Sequence, residues 1–213
     1  MRRLLAITCV LLMLVSSACA EIVGMTTDDT APYIYIHRYD ADGQDIYFVS
    51  MEEEVYAQNT DVSFDGVEDL LLITHMGAQN IGYLIYLKTE DGYVLANPDG
   101  LVWNYRLDEE RKLLISSAIN GFAGALREDT VYRWEDGALV KLRTAFAEQK
   151  EEIEFLEDGY RLTSYDEQLV RRVVDYTEDA GEGTVLWQDE VTLEDMDDPA
   201  RFNELEDALM SGL

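Results

Sequence analysis

The sequence predicts a mainly β fold, in which antiparallel hairpins form a meander, a propeller-like array or a sandwich, followed by a short C-terminal helix. Short runs rich in β-branched and aromatic residues recur from Tyr33 onward, and such residues favour strands. Six Asp-Gly pairs separate these runs, and Asp-Gly tolerates the positive φ of tight hairpin turns. Near the end of the chain, apolar residues recur at helical spacing instead.

Three of the Asp-Gly pairs share a context that indicates a weak internal repeat of hairpins. Each follows a glutamate and precedes a strand-like run, in residues 90–95, 135–140 and 157–162. The intervals of 45 and 22 residues between them are irregular. We therefore do not expect a regular propeller array.

Individual strands can be placed in order along the chain. Residues 70–73 form a continuous apolar run, which predicts a strand buried on both faces, although so short a run does not exclude a helix. Residues 169–176 are ambiguous between strand and helix, and residues 144–154 are interpreted as a connecting helix or a linker. The other predicted strands are residues 33–37, 46–50, 83–87, 112–117, 130–134, 138–142 and 185–188.

The last 16 residues carry the signals of a helix. Asp198 can cap the N-terminus, Pro199 suits the first turn, and Gly212 is a stop signal. The apolar residues of one helical face are Phe202, Leu205 and Leu209.

Residues 1–20 have the pattern of a secretory signal peptide. Arg2 and Arg3 precede an apolar stretch at residues 4–15, and small residues follow. The apolar stretch is too short for a permanent membrane span. We therefore expect an extracytoplasmic protein with a tether at residues 21–32 and a single β-rich domain at residues 33–213, more acidic from about residue 143.

Two cleavage sites remain open. Ser17-Ala18-Cys19 resembles the end of a bacterial lipobox, which predicts an envelope lipoprotein lipidated at Cys19. Ala18-Cys19-Ala20 also suits ordinary signal peptidase, which predicts a secreted protein beginning at Glu21. The only other thiol is Cys9, inside the signal peptide, so the mature domain has no disulfide under either interpretation.

The chain is strongly acidic, with 44 acidic and 16 basic side chains and a net charge of −28. Removal of residues 1–20 takes away two arginines and no acid, which leaves −30. This charge excludes a nucleic-acid binder that works through phosphate neutralisation, and it disfavours adsorption to anionic lipid. Membrane contact is therefore expected only through a lipid anchor. The densest acidic surface is expected at residues 143–213, which contain 21 acids and 6 bases.

Residues 61–69 hold the one motif with site chemistry. Side-chain oxygens of Asp61, Ser63, Asp65 and Asp69, with the backbone carbonyl of Val67, have the spacing of a short calcium loop. An EF-hand is a poor match, because position 12 of the loop is Leu72 rather than glutamate. Ca²⁺ is therefore the expected cofactor. The alternative is an ordinary Asp-Gly turn whose acids cap backbone amides.

The segment at residues 61–72 resembles the D-x-N-x-D-G-x-x-D-L segment of FG-GAP or VCBS-type β repeats. It is followed by Gly77-Ala78-Gln79-Asn80, the strand-like residues 83–87 and a Tyr-x-Trp-x-x-Gly-x-Leu pattern at residues 132–139. The order of these features is similar to that of small β-propeller-like exported bacterial proteins, some of which are calcium-binding lipoproteins that inhibit lysozyme-like toxins. The resemblance covers about residues 55–142, and it implies calcium ligation by the loop residues alone.

Enzyme signatures are mostly absent from the sequence, and we expect no catalytic activity. His37 and His75 are interpreted as strand residues, and no zinc cluster or Gly-x-Ser-x-Gly motif occurs. Three functions remain open, of which an enzyme with an unrecognised carboxylate site ranks last. The first is an exported, lipid-anchored protein that binds a protein partner, in its most specific form a cationic lysozyme-like cell-wall hydrolase that it antagonises. The second is a carbohydrate- or envelope-associated structural module.

Overall fold

The computed structural model describes residues 20–26, 34–121, 124–156, 159–177 and 182–213. Residues 1–19, which are all but the last residue of the predicted signal peptide and include Cys19, lie outside the described residues, as do residues 27–33. Strand bounds are β1 Glu21–Thr26, β2 Ile34–Ala41, β3 Gln44–Ser50, β4 Tyr56–Thr60, β5 Asp69–Met76, β6 Ile81–Thr89, β7 Gly92–Leu95, β8 Val102–Trp103, β9 Arg106–Asp108, β10 Leu113–Gly121, β11 Leu126–Glu135, β12 Ala138–Leu156, β13 Gly159–Asp175 and β14 Thr184–Thr192. A 3-10 helix, Glu194–Asp197, and the α-helix α1, Pro199–Met210, follow.

The strands form three antiparallel sheets, which confirms the mainly β prediction. The N-terminal sheet has the order β1-β2-β3, and the central sheet has the order β4-β5-β6-β7, with β8 also paired to β6. The C-terminal sheet has the order β14-β13-β12-β11-β10-β9. Neighbours in each sheet are consecutive in the chain, apart from β8, so the fold is a series of hairpins and meanders.

The central sheet is packed on both faces, as the apolar run of β5 predicts. Leu70 and Leu72 join a core with Ile46 and Phe48 of the N-terminal sheet. Leu71, between them, belongs to a second core with residues of the C-terminal sheet. Because successive strand residues point to opposite faces, this alternation places β5 between two layers. Leu70, Leu71 and Leu72 are each at most 2% exposed.

Two Asp-Gly pairs form the tight hairpin turns that the sequence predicts. Asp42 and Gly43 join β2 to β3 with φ of 54° and 90°, and Asp136 and Gly137 join β11 to β12 with φ of 50° and 78°. Two consecutive positive φ values define a type I′ turn, whose twist matches that of the paired strands. Two segments of the predicted repeat lie at the β6–β7 and β11–β12 hairpins. In the third, residues 157–158 lie outside the described residues, and residues 159–162 begin β13.

The prediction of a tether at residues 21–32 is wrong for its first half. Residues 21–26 form β1, which pairs with β2 and places Glu21 opposite Arg38. The carboxylate of Glu21 accepts a hydrogen bond from the Arg38 Nη2 at 2.7 Å. The segment at residues 21–32 is largely small and polar, but Ile22, Val23 and Met25 in its first half are apolar, and pairing with β2 makes that half a strand.

The prediction of a helix or linker at residues 144–154 is also wrong, because these residues lie within β12. Thr144 pairs with Thr130 of β11 and with Val174 of β13, so neighbours on both sides fix this part as a strand. The glutamate-rich composition favours a helix in isolation, and sheet pairing overrides that propensity. Residues 169–176, ambiguous in sequence, are strand through Asp175.

The last part of β12, beyond the residues that pair with β11, pairs with β13 alone among the described strands. The ladder runs from Lys150 opposite Tyr165 to Leu156 opposite Gly159. Among the described strands, neither β11 nor β14 pairs with this part of the hairpin. The C-terminal sheet therefore extends into a two-stranded ribbon.

The C-terminal helix matches its sequence signals. Asp198 caps α1, and its side chain accepts a hydrogen bond from the backbone N–H of Ala200 at 2.9 Å. Leu205 and Leu209 are buried against Val131, Val173 and their neighbours in the C-terminal sheet. Within the described parts of the chain, no helix is long and apolar enough to cross a membrane.

Candidate functional site

The predicted calcium loop, residues 61–69, connects β4 to β5. It therefore lies between strands, as the sequence predicts. Phe64 and Gly66 both have left-handed backbone conformations, with φ of 61° and 87°. Two such residues within three positions reverse the chain sharply, so the loop folds back on itself.

The Asp61 carboxylate organises the tip of the loop. It accepts hydrogen bonds from the backbone N–H groups of Asp65 at 3.2 Å and Gly66 at 2.9 Å. The Ser63 hydroxyl lies 3.5 Å from one oxygen of the same carboxylate. Asp65, which is exposed, accepts a hydrogen bond from the backbone N–H of Val67 at 2.8 Å. Both acids thus cap backbone amides of their own loop.

Asp69 ties the base of the loop to β6. Its side chain is buried, with 1% of the residue exposed, and one oxygen accepts hydrogen bonds from the backbone N–H groups of Val62 and Ser63, both at 3.2 Å. The other oxygen accepts one from the backbone N–H of Lys88 at 3.1 Å. Burial raises the pKa of Asp69 above its ordinary value, and the hydrogen bonds from these amides oppose that rise.

Val62 anchors the loop to the C-terminal sheet. Its side chain is fully buried in the core between the central and C-terminal sheets. The indole N–H of Trp134, on β11, donates a hydrogen bond to the Val62 carbonyl at 2.5 Å. The loop is therefore attached to β6 through Asp69 and to the C-terminal sheet through Val62. The contact with Trp134 joins residues 61–72 to residues 132–139, two of the segments that carry the sequence resemblance.

The donor set suits Ca²⁺ chemically, because every candidate ligand is an oxygen. In the structure, however, the carboxylates of Asp61, Asp65 and Asp69 face backbone amides. Across the described residues, no three acidic, histidine or cysteine side chains approach closely enough to hold a metal ion. This geometry is that of the amide-capped turn, and calcium binding by Asp61, Ser63, Asp65, the Val67 carbonyl and Asp69 stays a prediction.

Both histidines lie in strands. His37, on β2, is fully buried, stacks on Phe48 with a centroid distance of 5.3 Å, and has its Nε2 3.0 Å from the backbone carbonyl of Glu52. His75, on β5, contacts the ring of Trp103 edge-on, and its Nδ1 lies 3.6 Å from a Glu52 carboxylate oxygen. The buried position of His37 gives it a packing role in the N-terminal sheet.

An apolar groove with a cavity volume of about 440 Å³ lies between the N-terminal and central sheets. This volume is within the range of ligand-binding clefts. Sequence reasoning missed the groove, because it is assembled from β2, β3, β5, β6, β7 and the following loop, which are up to 67 residues apart. Its main walls are Phe48, Val49, Leu84, Tyr86, Leu95 and Leu101.

Comparisons with known proteins give one structural likeness. No family model matches this chain. No curated protein matches it either. A solved chain described as the structure of a Xanthomonas type IV secretion system related protein is 13% identical, with a TM-score of 0.42, and the match covers 79% of this chain and 87% of that one. We carry no property of that protein over to this chain.

Proposed function

We propose that the protein is exported, anchored to the bacterial envelope through a lipidated Cys19, and acts by binding a cationic protein partner. In its most specific form the partner is a lysozyme-like cell-wall hydrolase, whose activity the bound protein blocks. The proposal assigns no catalytic role to the chain. The observation that carries it is the distribution of ion pairs across the described surface.

Every arginine whose side chain the structure describes already has an acidic partner within the chain. The pairs include Arg38 with Glu21, Arg106 with Glu206, and Arg172 with Glu148. The remaining described arginines, each within 4.0 Å of a carboxylate oxygen, are Arg111, Arg127, Arg133, Arg143, Arg171 and Arg201.

The bases therefore neutralise a minority of the acids, and the surplus stays available to a partner. A basic protein approaching this surface gains attraction without displacing internal arginines, which speeds encounter and makes binding sensitive to salt. The same surplus repels anionic lipid, so contact with the membrane depends on the anchor.

Mixing residues 21–213 with a cationic lysozyme tests the proposal. We expect a complex whose dissociation constant rises at least about tenfold between about 20 mM and about 200 mM salt, because screening shortens the reach of surface charges. Isothermal titration calorimetry measures the binding, and inhibition of cell-wall lysis measures antagonism. Absence of a complex at both salt concentrations would contradict the lysozyme-directed form and favour the envelope-module alternative.

Two matched variants locate the surface, each neutralising four exposed acids by conversion to the corresponding amide. We expect the variant in the C-terminal third to weaken binding about tenfold, and the other by less than about threefold, because the charge is densest after residue 143. Equal losses would place the contact elsewhere. The first variant changes Glu151, Glu182, Glu194 and Asp207, and the second changes Glu53, Glu90, Glu109 and Glu110.

We also propose that the loop binds Ca²⁺ and that the ion stabilises the domain rather than forming the partner site. Added calcium should raise the melting temperature of the wild type, because an ion bound only to the folded state stabilises it. Asp65→Ala should remove that increase, and its stability in a chelator should stay close to that of the wild type, since Asp65 is exposed. Differential scanning fluorimetry reads both effects. A wild type that shows no calcium-dependent shift would refute the metal assignment.

A further inference from the structure

We propose that the free edge of β3 binds an extended peptide segment of a partner protein. The segment adds to the N-terminal sheet as a fourth strand and inserts alternate apolar side chains into the adjoining groove. This inference rests on the proposed binding function and deepens it, because it specifies where a partner docks and in which conformation.

Among the described strands, the edge of β3 that faces away from β2 is unpaired. β3 pairs with β2 along one side, and no described strand pairs with its other side. An unpaired edge presents backbone N–H and C=O groups that can accept a further strand, and proteins usually block such edges with lysine, proline or a bulge. β3 contains no lysine or proline, and its pairing with β2 has no register shift.

The groove runs along this edge. Five consecutive residues of the strand and its end, Tyr47 to Met51, line the cavity. Successive side chains of a strand point to opposite faces, so a cavity that touches all five must follow the side of the strand. The opposite wall consists of apolar side chains from the central sheet and the next loop, including Leu84, Leu95 and Leu101.

Hydrogen bonds join β3 to the central sheet at the start and at the end of the strand. At the start of β3, the Gln44 side-chain amide donates to the Tyr93 carbonyl at 2.9 Å and accepts from the Tyr93 N–H at 2.6 Å. At the end of β3, the Ser50 hydroxyl donates to the Thr74 carbonyl at 2.7 Å. Between these contacts, no described hydrogen bond joins β3 to the central sheet.

Gly92 is required for the first of these contacts. A Cβ at this position would lie 2.3 Å from the Gln44 side-chain oxygen, and its φ of 119° also disfavours other residues. The groove is thus formed before any partner arrives, which lowers the entropic cost of binding.

A buried hydroxyl within the groove lacks a partner. Thr74 is 3% exposed and lines the cavity, and its Oγ1 forms no hydrogen bond within the described structure. Thr74 is the extra residue where the β5–β6 register shifts between Ile73 and His75. A buried polar group without a partner is unfavourable.

Charge and exposed apolar surface indicate the chemistry of the segment. Tyr47 and Val49 are 61% and 63% exposed on the outer face of β3, so apolar residues suit both faces of the incoming strand. Glu52 and Asp99, beside groove residues, favour basic residues at the ends of the segment. A second copy of this acidic chain would be repelled.

A fluorescently labelled peptide of about ten residues, with alternating valine and threonine and a lysine at each end, is the probe. We expect saturable binding to residues 21–213 by fluorescence anisotropy, and amide hydrogen exchange slowed at least about tenfold at residues 45–51. Val49→Lys, which blocks the edge, and Leu84→Trp, which fills the groove, should each weaken binding at least about tenfold.

Val185→Lys is the matched control, because Val185 is an exposed valine on β14, the edge strand of the C-terminal sheet. It should bind the peptide like the wild type. Failure of the wild type to bind, or equal binding by all three variants, would overturn the proposal. So would binding of the neutral dye Nile red without binding of the peptide, which would identify a small-molecule pocket. The peptide assay uses no lysozyme, so its result is distinguishable from failure of the lysozyme experiment.

Discussion

Arg171→Leu is expected to lower the free energy of unfolding by about 3 kcal/mol, because removing one partner of a buried ion pair leaves the other partners uncompensated. Arg171 has no exposed surface. Its guanidinium binds the carboxylate of Asp189 on β14, and the carboxylate of Glu204 on α1 at 3.3 Å. It also donates to the backbone carbonyl of Arg201 at 2.5 Å. Leucine keeps the apolar volume but removes the donor to Asp189 and to the Arg201 carbonyl, and leaves Glu204 with Arg201 as its partner.

The loss should be concentrated at the C-terminal helix. Arg171 joins α1 to the C-terminal sheet near the first turn of the helix, and Arg143 does so near the last, where it donates to the carbonyls of Leu209 and Ser211. A cation at the end of a helix satisfies carbonyls that lack partners within the helix. With one of the two arginines removed, amide exchange in α1 should accelerate before exchange in β5 does.

Arg172→Leu is the control for Arg171→Leu. Arg172 is the next residue and pairs with Glu148, but both side chains are well exposed, at 40% and 51%. An exposed pair contributes at most about 1 kcal/mol, so this variant should unfold close to the wild type in urea. Equal losses for the two variants would mean that burial of Arg171 does not strengthen its ion pairs.

The sequence predicts much of the fold because its strands and turns depend on local signals. Asp42-Gly43 and Asp136-Gly137 each lie between two strand-like runs, and that local pattern predicts a hairpin. The continuous apolar run at residues 70–73 likewise predicts a strand that is buried on both faces. Residues 144–154 could not be predicted in the same way, since their glutamates favour a helix. Only pairing with β13, and with β11 as far as Ala147, makes them a strand.

The two candidate sites differ in the same way: the loop depends on local sequence, and the groove depends on the packing of distant segments. The loop at residues 61–69 is visible in sequence because all its side chains lie within nine residues. The hydrogen bond from Trp134 to Val62 spans 72 residues, and the groove beside β3 depends on how two sheets pack. Neither leaves a local pattern. Exposed Tyr47 and Val49 alternate with buried residues as in any half-buried strand, so the sequence does not show that the edge is open.

Asp69→Ala should lower the free energy of unfolding by about 3 kcal/mol even when a chelator removes all calcium. The substitution leaves the backbone N–H groups of Val62, Ser63 and Lys88 without this acceptor, the first in a buried region and the other two in partly buried ones. Unpaired buried donors are costly because they have lost water and gained no partner. Urea denaturation in chelator and in calcium measures the loss under both conditions.

Glu68→Ala is the matched control, since Glu68 is the exposed neighbour of Asp69 in the same loop. This variant should unfold like the wild type. The comparison separates two roles for one carboxylate. If Asp69 acts mainly by capping amides, the loss of stability in Asp69→Ala persists in chelator. The loss of stability in Asp65→Ala, by contrast, appears only with calcium. If Asp69→Ala matches the wild type in chelator and loses stability only in calcium, Asp69 serves chiefly as a ligand. The amides of Val62, Ser63 and Lys88 would then find other acceptors in its absence.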